Sequence, residues 1–373
     1  MLTRLKRGGP KTAAAARDKP AAASAAGTAV AAAAAVAPAA RRRRVLPIIE
    51  LAVFAAFAVL PLALEEFWTT FATRVLILSL LAISFDLVWG YAGIMSFGQS
   101  LYFGAAGYLV ALLARDLGIT SLFVVLPAAL LFGLVLSFLM AAFLLLGRTP
   151  PSSIFVAMGT LTGAYAADRL ARSWYYLGGQ NGIPSIPPMS VGDYAFYEGT
   201  AFYYLAFGFL LVVYLACRFL VRSQFGLALA GMREQERRIA FFGYKVQHLK
   251  AIVFSLAGAI AGLAGGLYAF HEGFVWPNIL GVVLSTQIVL YALFGGTGTL
   301  VGAIIGVAVI EYVSFVLADL YPEIWPILLG VILLLVIMFR PTGLIGLLIS
   351  ERERTGTFGT IPVTPRRRNN VAA

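Results

Sequence analysis

The sequence predicts an all-α fold: a polytopic integral membrane helical bundle of about ten segments, some of them short or broken. Three observations predict it. Of the 373 residues 60% are hydrophobic and only 12% are charged, where soluble domains carry about 25% charged residues. Apolar runs long enough to span a bilayer, about 20 residues each, follow one another from Val45 onward. The net charge of +11 is concentrated in the tails: residues 1–44 carry +9, residues 351–373 carry +3, and everything between them carries −1. Basic tails flanking apolar spans follow the positive-inside rule, so the partner they imply is membrane lipid and not nucleic acid.

The first 44 residues are a low-complexity basic tail, Ala-rich from 11 to 40, with no large apolar residues to build a core. A cleaved leader is the competing expectation, and Arg41 to Arg44 argue against it. The apolar segments then fall at 45–64, 71–90, 94–114, 121–146, 152–174, 200–221, 249–270, 281–295, 299–318 and 324–340. They define a transmembrane domain at 45–348, followed by a second basic tail at 349–373. Segment 281–295 is short enough to be a half-helix. With the N-terminus cytoplasmic, the internal loops receive Arg148, Arg218, Arg222, Arg233, Arg237, Arg238, Lys245, Lys250 and Arg340. The external side receives most of the acids and only Arg74, Arg115, Arg169 and Arg172. Both termini are therefore expected on the cytoplasmic side.

Two Gly-rich hairpins, 85–113 and 287–317, interrupt apolar helices at similar places in the two halves of the chain. Interrupted helices in corresponding positions are a transporter feature, although glycine also serves close packing in membrane helices. The breaks supply the candidates for a translocation path: Asp86, Gly93, Ser96, Gln99, Gly295 and Gly296. Asp86 and Glu311 lie within apolar segments, where a carboxylate must face water or the bundle interior. Either could instead bond backbone groups freed at a helix break. The loop at 178–188, GGQNGIPSIPP, reads as a simple turn or as a docking surface or lip on the external side.

Catalytic and nucleotide-binding signatures do not occur. No Gly is followed by Lys, so the phosphate-cradling P-loop is missing. HExxH and GxSxG do not occur either. One cysteine, Cys217, and two histidines, His248 and His271, far apart in sequence, predict no disulfide and no metal site. An integral membrane enzyme would need His, Cys or carboxylates clustered at a shared depth, and the sequence offers no such cluster. No cofactor is expected on this chain.

The long loop at 222–250 is the most informative stretch. Within it, MREQERRIAFFGY at 232–244 predicts one short amphipathic helix. Met232, Ile239 and Phe242 would share its apolar side, and Gly243 would close it. Its mixed charge suits a groove on a protein; a solvated helix, an interfacial helix and a topogenic basic loop stay open.

The chain resembles the permease subunits of ATP-binding-cassette importers for branched-chain amino acids and for urea or short amides. The resemblance rests on FDLVWGYAGIMSFGQSLYFGAAGY at 85–108, GGQNGI at 178–183, RSQFGLALAGMREQERRIAFFGY at 222–244, LAGAIAGLAGGLYA at 256–269, GGTGTLVGAIIGV at 295–307 and FRPTGLIGL at 339–347, in that order. It spans about Leu46 to Leu348. One departure is Gln99, where members often carry His. The resemblance implies a multi-pass protein of the bacterial inner membrane that forms half of a two-permease pore. Its partners would be two cytoplasmic ATPase subunits, a second homologous permease and an external solute-binding protein, with ATP used by the partner subunits. It also implies that 232–244 is a coupling helix seated on the ATPase, with Arg233, Glu234, Glu236, Arg237, Ala240 and Gly243 as contact candidates. Alternating access driven by ATP would follow. The implied solute is a branched-chain amino acid; 321–347 looks as much like a urea or amide permease. An ion-coupled carrier using Asp86 and Glu311 is the remaining alternative.

Overall fold

The computed structural model describes residues 45–147, 152–320 and scattered positions between 324 and 345. Both basic tails, 1–44 and 349–373, and most of the tenth apolar segment fall outside the described residues. The helices are α1 Val45–Ala63, α2 Glu66–Asp86, α3 Gln99–Leu117, α4 Leu122–Leu145, α5 Ser153–Ser173, α6 Thr200–Arg222, α7 Gln224–Glu234, α8 Glu236–Phe241, α9 Val246–Glu272, α10 Val282–Gly295 and α11 Leu300–Leu320. A two-stranded antiparallel hairpin, β1 Met189–Val191 and β2 Tyr194–Phe196, pairs Ser190 with Ala195.

Among the described residues, six helices are long and apolar enough to cross a membrane: α1, α2 with its extension to Tyr91, α4, α6, α9 and α11. The expected spans at 94–114 and 152–174 are helices, α3 and α5, but fall outside that set. α3 carries Gln99, Ser100, Gly104 and Gly107, and these polar and small residues suit a helix packed on protein. α10 has 14 residues, about 21 Å at the α-helical rise, shorter than a hydrocarbon core of about 30 Å.

α2 and α9 form the centre. α2 is buried all round from Val75 to Asp86, as expected of a helix that is apolar on every side. Its hydroxyls turn inward to their own backbone: Thr73 Oγ1 donates to the Thr69 carbonyl at 2.8 Å and Ser79 Oγ to the Val75 carbonyl at 2.7 Å. α9 packs between α4, α3 and α2. Gly258, Gly262 and Gly266 recur every fourth residue along α9, facing Ala129, Gly133 and Ser137 of α4. A Cβ at Gly133 would stand 2.9 Å from the Gly262 Cα, so glycine is what lets the two backbones meet. α1 lies against α6, where the Tyr203 hydroxyl donates to the Phe57 carbonyl at 2.6 Å and Phe54 packs on Tyr214.

The 178–188 loop is more than a turn. Ile183 exchanges both backbone hydrogen bonds with Val275, at 2.8 and 3.0 Å, and the Ile186 amide donates to the Gly273 carbonyl. The loop is thereby clamped to the segment that follows α9. Beside it, Arg115 donates to Asp116 at 2.7 Å and the Tyr176 hydroxyl donates to the same carboxylate at 2.5 Å.

Candidate functional site: a surface loop seated on two helix breaks

The two Gly-rich breaks meet in space. α2 ends in a π-helical turn, Leu87–Tyr91, and the chain reverses at Gly93, where φ is +73°. It then runs through residues 92–98 to α3, with Ala92, Ile94 and Ser96 buried. Irregular backbone at this depth must have its polar groups satisfied by protein. Thr160 Oγ1 accepts from the Phe97 amide at 3.0 Å, and Ser96 Oγ accepts from the Gly98 amide at 3.2 Å. Ser285 Oγ donates to the Phe97 carbonyl at 2.7 Å, and Ser84 Oγ donates to Gln99 Oε1 at 3.3 Å. Gln99 Nε2 has no hydrogen-bond partner among the described residues.

The second break lies between α10 and α11. Gly295 packs so closely on the Gly302 carbonyl that a Cβ there would collide with it. Gly296 receives Gly343 against its backbone, and the Leu344 amide donates to the Phe294 carbonyl at 2.8 Å. Asp86 joins the breaks: fully buried, it accepts the Gly298 amide hydrogen at 2.7 Å through Oδ1. Leaving a buried amide without its acceptor costs about 1–3 kcal/mol. Asp86 therefore bonds a backbone group freed at the other helix break.

The 222–250 loop sits on this junction. Ser223 caps α7, accepting the Phe225 amide at 3.2 Å. α7 runs to Glu234, Gln235 takes an extended conformation (φ −152°, ψ 96°), and α8 follows for one and a half turns. The expected single helix is thus two, and the break decides which side chains face the bundle. Met232 is buried and Ile239 packs on Gly231, as the spacing predicted. Phe242 lies past the end of α8 and is 77% exposed, beside Phe241 at 91%. Met232 and Ile239 keep one side across the break, and Phe242 leaves it because α8 ends at Phe241. Gly243 follows α8 with φ +85°, the left-handed conformation expected of a closing glycine.

The six contact candidates divide into two groups. Arg233 reaches into the junction: its guanidinium donates to the Gly90 carbonyl, and its side chain packs on Gly93. Glu236 accepts from Lys250 Nζ at 2.5 Å, tying α8 to the second turn of α9. All six candidates are exposed, together with Phe241, Phe242 and Tyr244; Arg233 and Glu236 differ in that each also bonds the bundle. Of the path candidates, Gly93 lies under Arg233, Asp86, Ser96 and Gln99 are buried, and Gly295 and Gly296 form the α10–α11 turn.

Four ion pairs escaped the sequence reading. Glu50 in α1 pairs with Arg218 in α6, Lys250 pairs with Glu236, and Arg74 approaches Glu311 at 3.8 Å and Glu272 at 3.9 Å. A lone carboxylate inside an apolar run signals an opposite charge at its depth, so Glu50 was the detectable member. Glu311 also accepts the Tyr291 hydroxyl. Contrary to the sequence reading, His271, Glu272 and Glu311 do share one region, although among the described residues no group could hold a metal ion.

A family model described as the permease component of the branched-chain amino acid transport system matches residues 67–337. The chain belongs to this permease family. It is 27% identical over 298 residues to the high-affinity branched-chain amino acid transport system permease protein LivM of Escherichia coli, covering 74% of this chain and 69% of that protein. A probable branched-chain amino acid transport permease protein LivM of Methanocaldococcus jannaschii is 25% identical over 312 residues, 71% of this chain and 89% of its own length. The autoinducer 2 import system permease protein LsrC of Yersinia enterocolitica is 28% identical over 167 residues, 42% of this chain and 45% of its own. No solved structure matches. The matched region of the permease takes in both helix breaks, the seated loop and the Arg74 region, and its apolar helices make it a multi-pass membrane protein.

Proposed function

We propose that this permease is the membrane-spanning subunit of an ATP-binding-cassette importer that carries branched-chain amino acids across the bacterial inner membrane. The observation that carries the proposal is the seating of the 222–250 loop. Arg233 fastens it to the end of α2 and the first helix break, while Phe241 and Phe242 stand exposed above it. A loop gripping two broken helices on one side and presenting aromatic and basic groups on the other can pass a displacement from a partner to the bundle. The partners are two cytoplasmic ATPase subunits that bind and hydrolyse the ATP, a second homologous permease and an external solute-binding protein. The 222–250 end then faces the cytoplasm with both termini, and the 178–188 loop faces outward. Asp86, Gly93, Ser96, Gln99, Gly295 and Gly296 form the junction that rearranges around the path, and Glu234, Arg237, Ala240 and Gly243 with the two phenylalanines contact the ATPase.

The test is uptake of L-leucine by the importer assembled in proteoliposomes. Replacing Phe241 and Phe242 together by Ala should lower uptake and its stimulation of ATP hydrolysis about tenfold, as for loss of two interface anchors, with the permease still folded. Unchanged uptake in the double variant would refute the docking role of the loop. The Arg74–Glu311 approach is also what an ion-coupled carrier would show; collapse of uptake by a protonophore at constant internal ATP would favour that reading.

A further inference from the structure

At the end of the bundle where α2 begins, opposite the seated loop, α2, α9, α10 and α11 enclose an open cleft of about 460 Å³. This is within the size range of small-molecule sites, about 300–1,000 Å³. Its charged members are Arg74, Glu198, Glu272 and Glu311. Arg74 Nε stands 3.9 Å from Glu272 Oε1 and 3.8 Å from Glu311 Oε2, well beyond the 2.7–2.9 Å or so of a charge-assisted hydrogen bond. The Arg74 side chain is 44% exposed. His271 also lines the cleft; it is 4% exposed, and its Nδ1 has no hydrogen-bond partner among the described residues. About one turn along the same two helices Phe71 and Phe315 pack 5.3 Å apart and, with Phe67 beside Phe315, form an apolar wall.

These features together select a ligand. A guanidinium and two carboxylates in or at the ends of apolar helices cannot face hydrocarbon, so the cleft must open on water or on protein. At this separation Arg74 makes ion pairs longer than a direct hydrogen bond, so its fork can still take a charged group of the ligand, while Glu311 also holds the Tyr291 hydroxyl. A guanidinium fork binds a carboxylate through two parallel hydrogen bonds, and paired carboxylates bind an ammonium. The phenylalanine wall takes an apolar side chain. A neutral amide such as urea would leave that wall without an occupant. We propose that the cleft is a solute-binding station on the translocation path, taking an α-amino acid with an apolar side chain: its carboxylate on Arg74, its ammonium on Glu272 and Glu311, its side chain against Phe71 and Phe315. The proposal rests on the importer reading above and names the residues that would meet the solute.

The experiment uses the assembled importer in proteoliposomes, with L-leucine and urea as the transported probes and uptake per ATP hydrolysed as the readout. Arg74→Lys keeps the positive charge, so a purely structural ion pair would leave transport near the starting level; a carboxylate station loses its fork, and leucine uptake per ATP should fall about tenfold. Glu272→Gln should act in the same direction, read again as uptake per ATP hydrolysed. A wild-type measurement stands apart from any folding defect: L-leucine, but not L-leucinamide, should protect Arg74 from an arginine-specific dicarbonyl, mapped by mass spectrometry. Leucine uptake at the starting level in both variants, or Arg74 labelling indifferent to leucine, would overturn the station and leave the importer reading standing. Wild-type importer that carries urea and no leucine would overturn both.

Discussion

At the residue scale, the structure turns several polar side chains into ties between distant parts of the chain. Asp86 holds the Gly298 amide, Arg233 holds the Gly90 carbonyl, and Lys250 holds Glu236. Asp86→Ala leaves a buried amide without its acceptor, so it should lower stability by about 1–3 kcal/mol, read as a fall in the thermal midpoint in detergent. Asp86 was legible as a carboxylate that needed a partner, because an apolar run makes its burial costly; that the partner is an amide 212 residues away was not. At the opposite end, hydrogen bonds from Arg115 and then Tyr176 hold the Asp116 carboxyl below the usual carboxylate range. A depressed carboxyl stabilises the fold above its ordinary value and loses that contribution as pH falls through the depressed one. The 175–181 segment should therefore exchange its amide hydrogens faster, relative to the intrinsic rate, at pH 3 than at pH 7; equal protection at both would contradict this role for Asp116.

At the element scale, helix positions followed from apolar run length, and interruptions followed less well. The segments expected at 121–146, 200–221 and 281–295 lie within a residue or so of α4, α6 and α10, because long apolar runs specify where a helix can sit in lipid. The 232–244 helix was expected whole and is broken at Gln235. No Gly or Pro marks the break; it follows from tertiary demands, since α7 must continue into the Arg233 contact while α8 turns back to Lys250. The α4–α9 seam makes a sharper prediction. Gly262→Val would force the Gly133 backbone away and should cost about 1–3 kcal/mol by overpacking. Gly208, with open space around the position, should tolerate Ala with little change in the same melting experiment.

At the scale of the whole molecule, α2 links the two functional ends. Arg74 and Asp86 are twelve residues apart on one continuous helix, about 18 Å along its axis. The cleft lies at one end and the loop junction at the other. Changes at the two ends should therefore differ in kind. Loop variants such as Arg237→Ala should reduce uptake and stimulated ATP hydrolysis together, while cleft variants should reduce uptake for each ATP consumed. Parallel loss of both quantities in cleft and loop variants alike would argue against this division.

The amino-acid sequence by itself determined that the chain is a helical membrane protein, where most of its helices lie, which family it resembles and which loop is exceptional. Those properties depend on composition, run length and local motif, all of which are contiguous along the chain. Only the tertiary structure decided that the two Gly-rich breaks meet, that Arg233 and Glu236 hold the loop to the bundle while Phe241 and Phe242 face outward, and that Arg74, Glu272 and Glu311 share a cleft with three phenylalanines. Each of these joins residues from separate helices. Glycine allows such helices to approach closely, but the pairing of one helix face with another is set by packing throughout the bundle, and no local pattern of residues carries it.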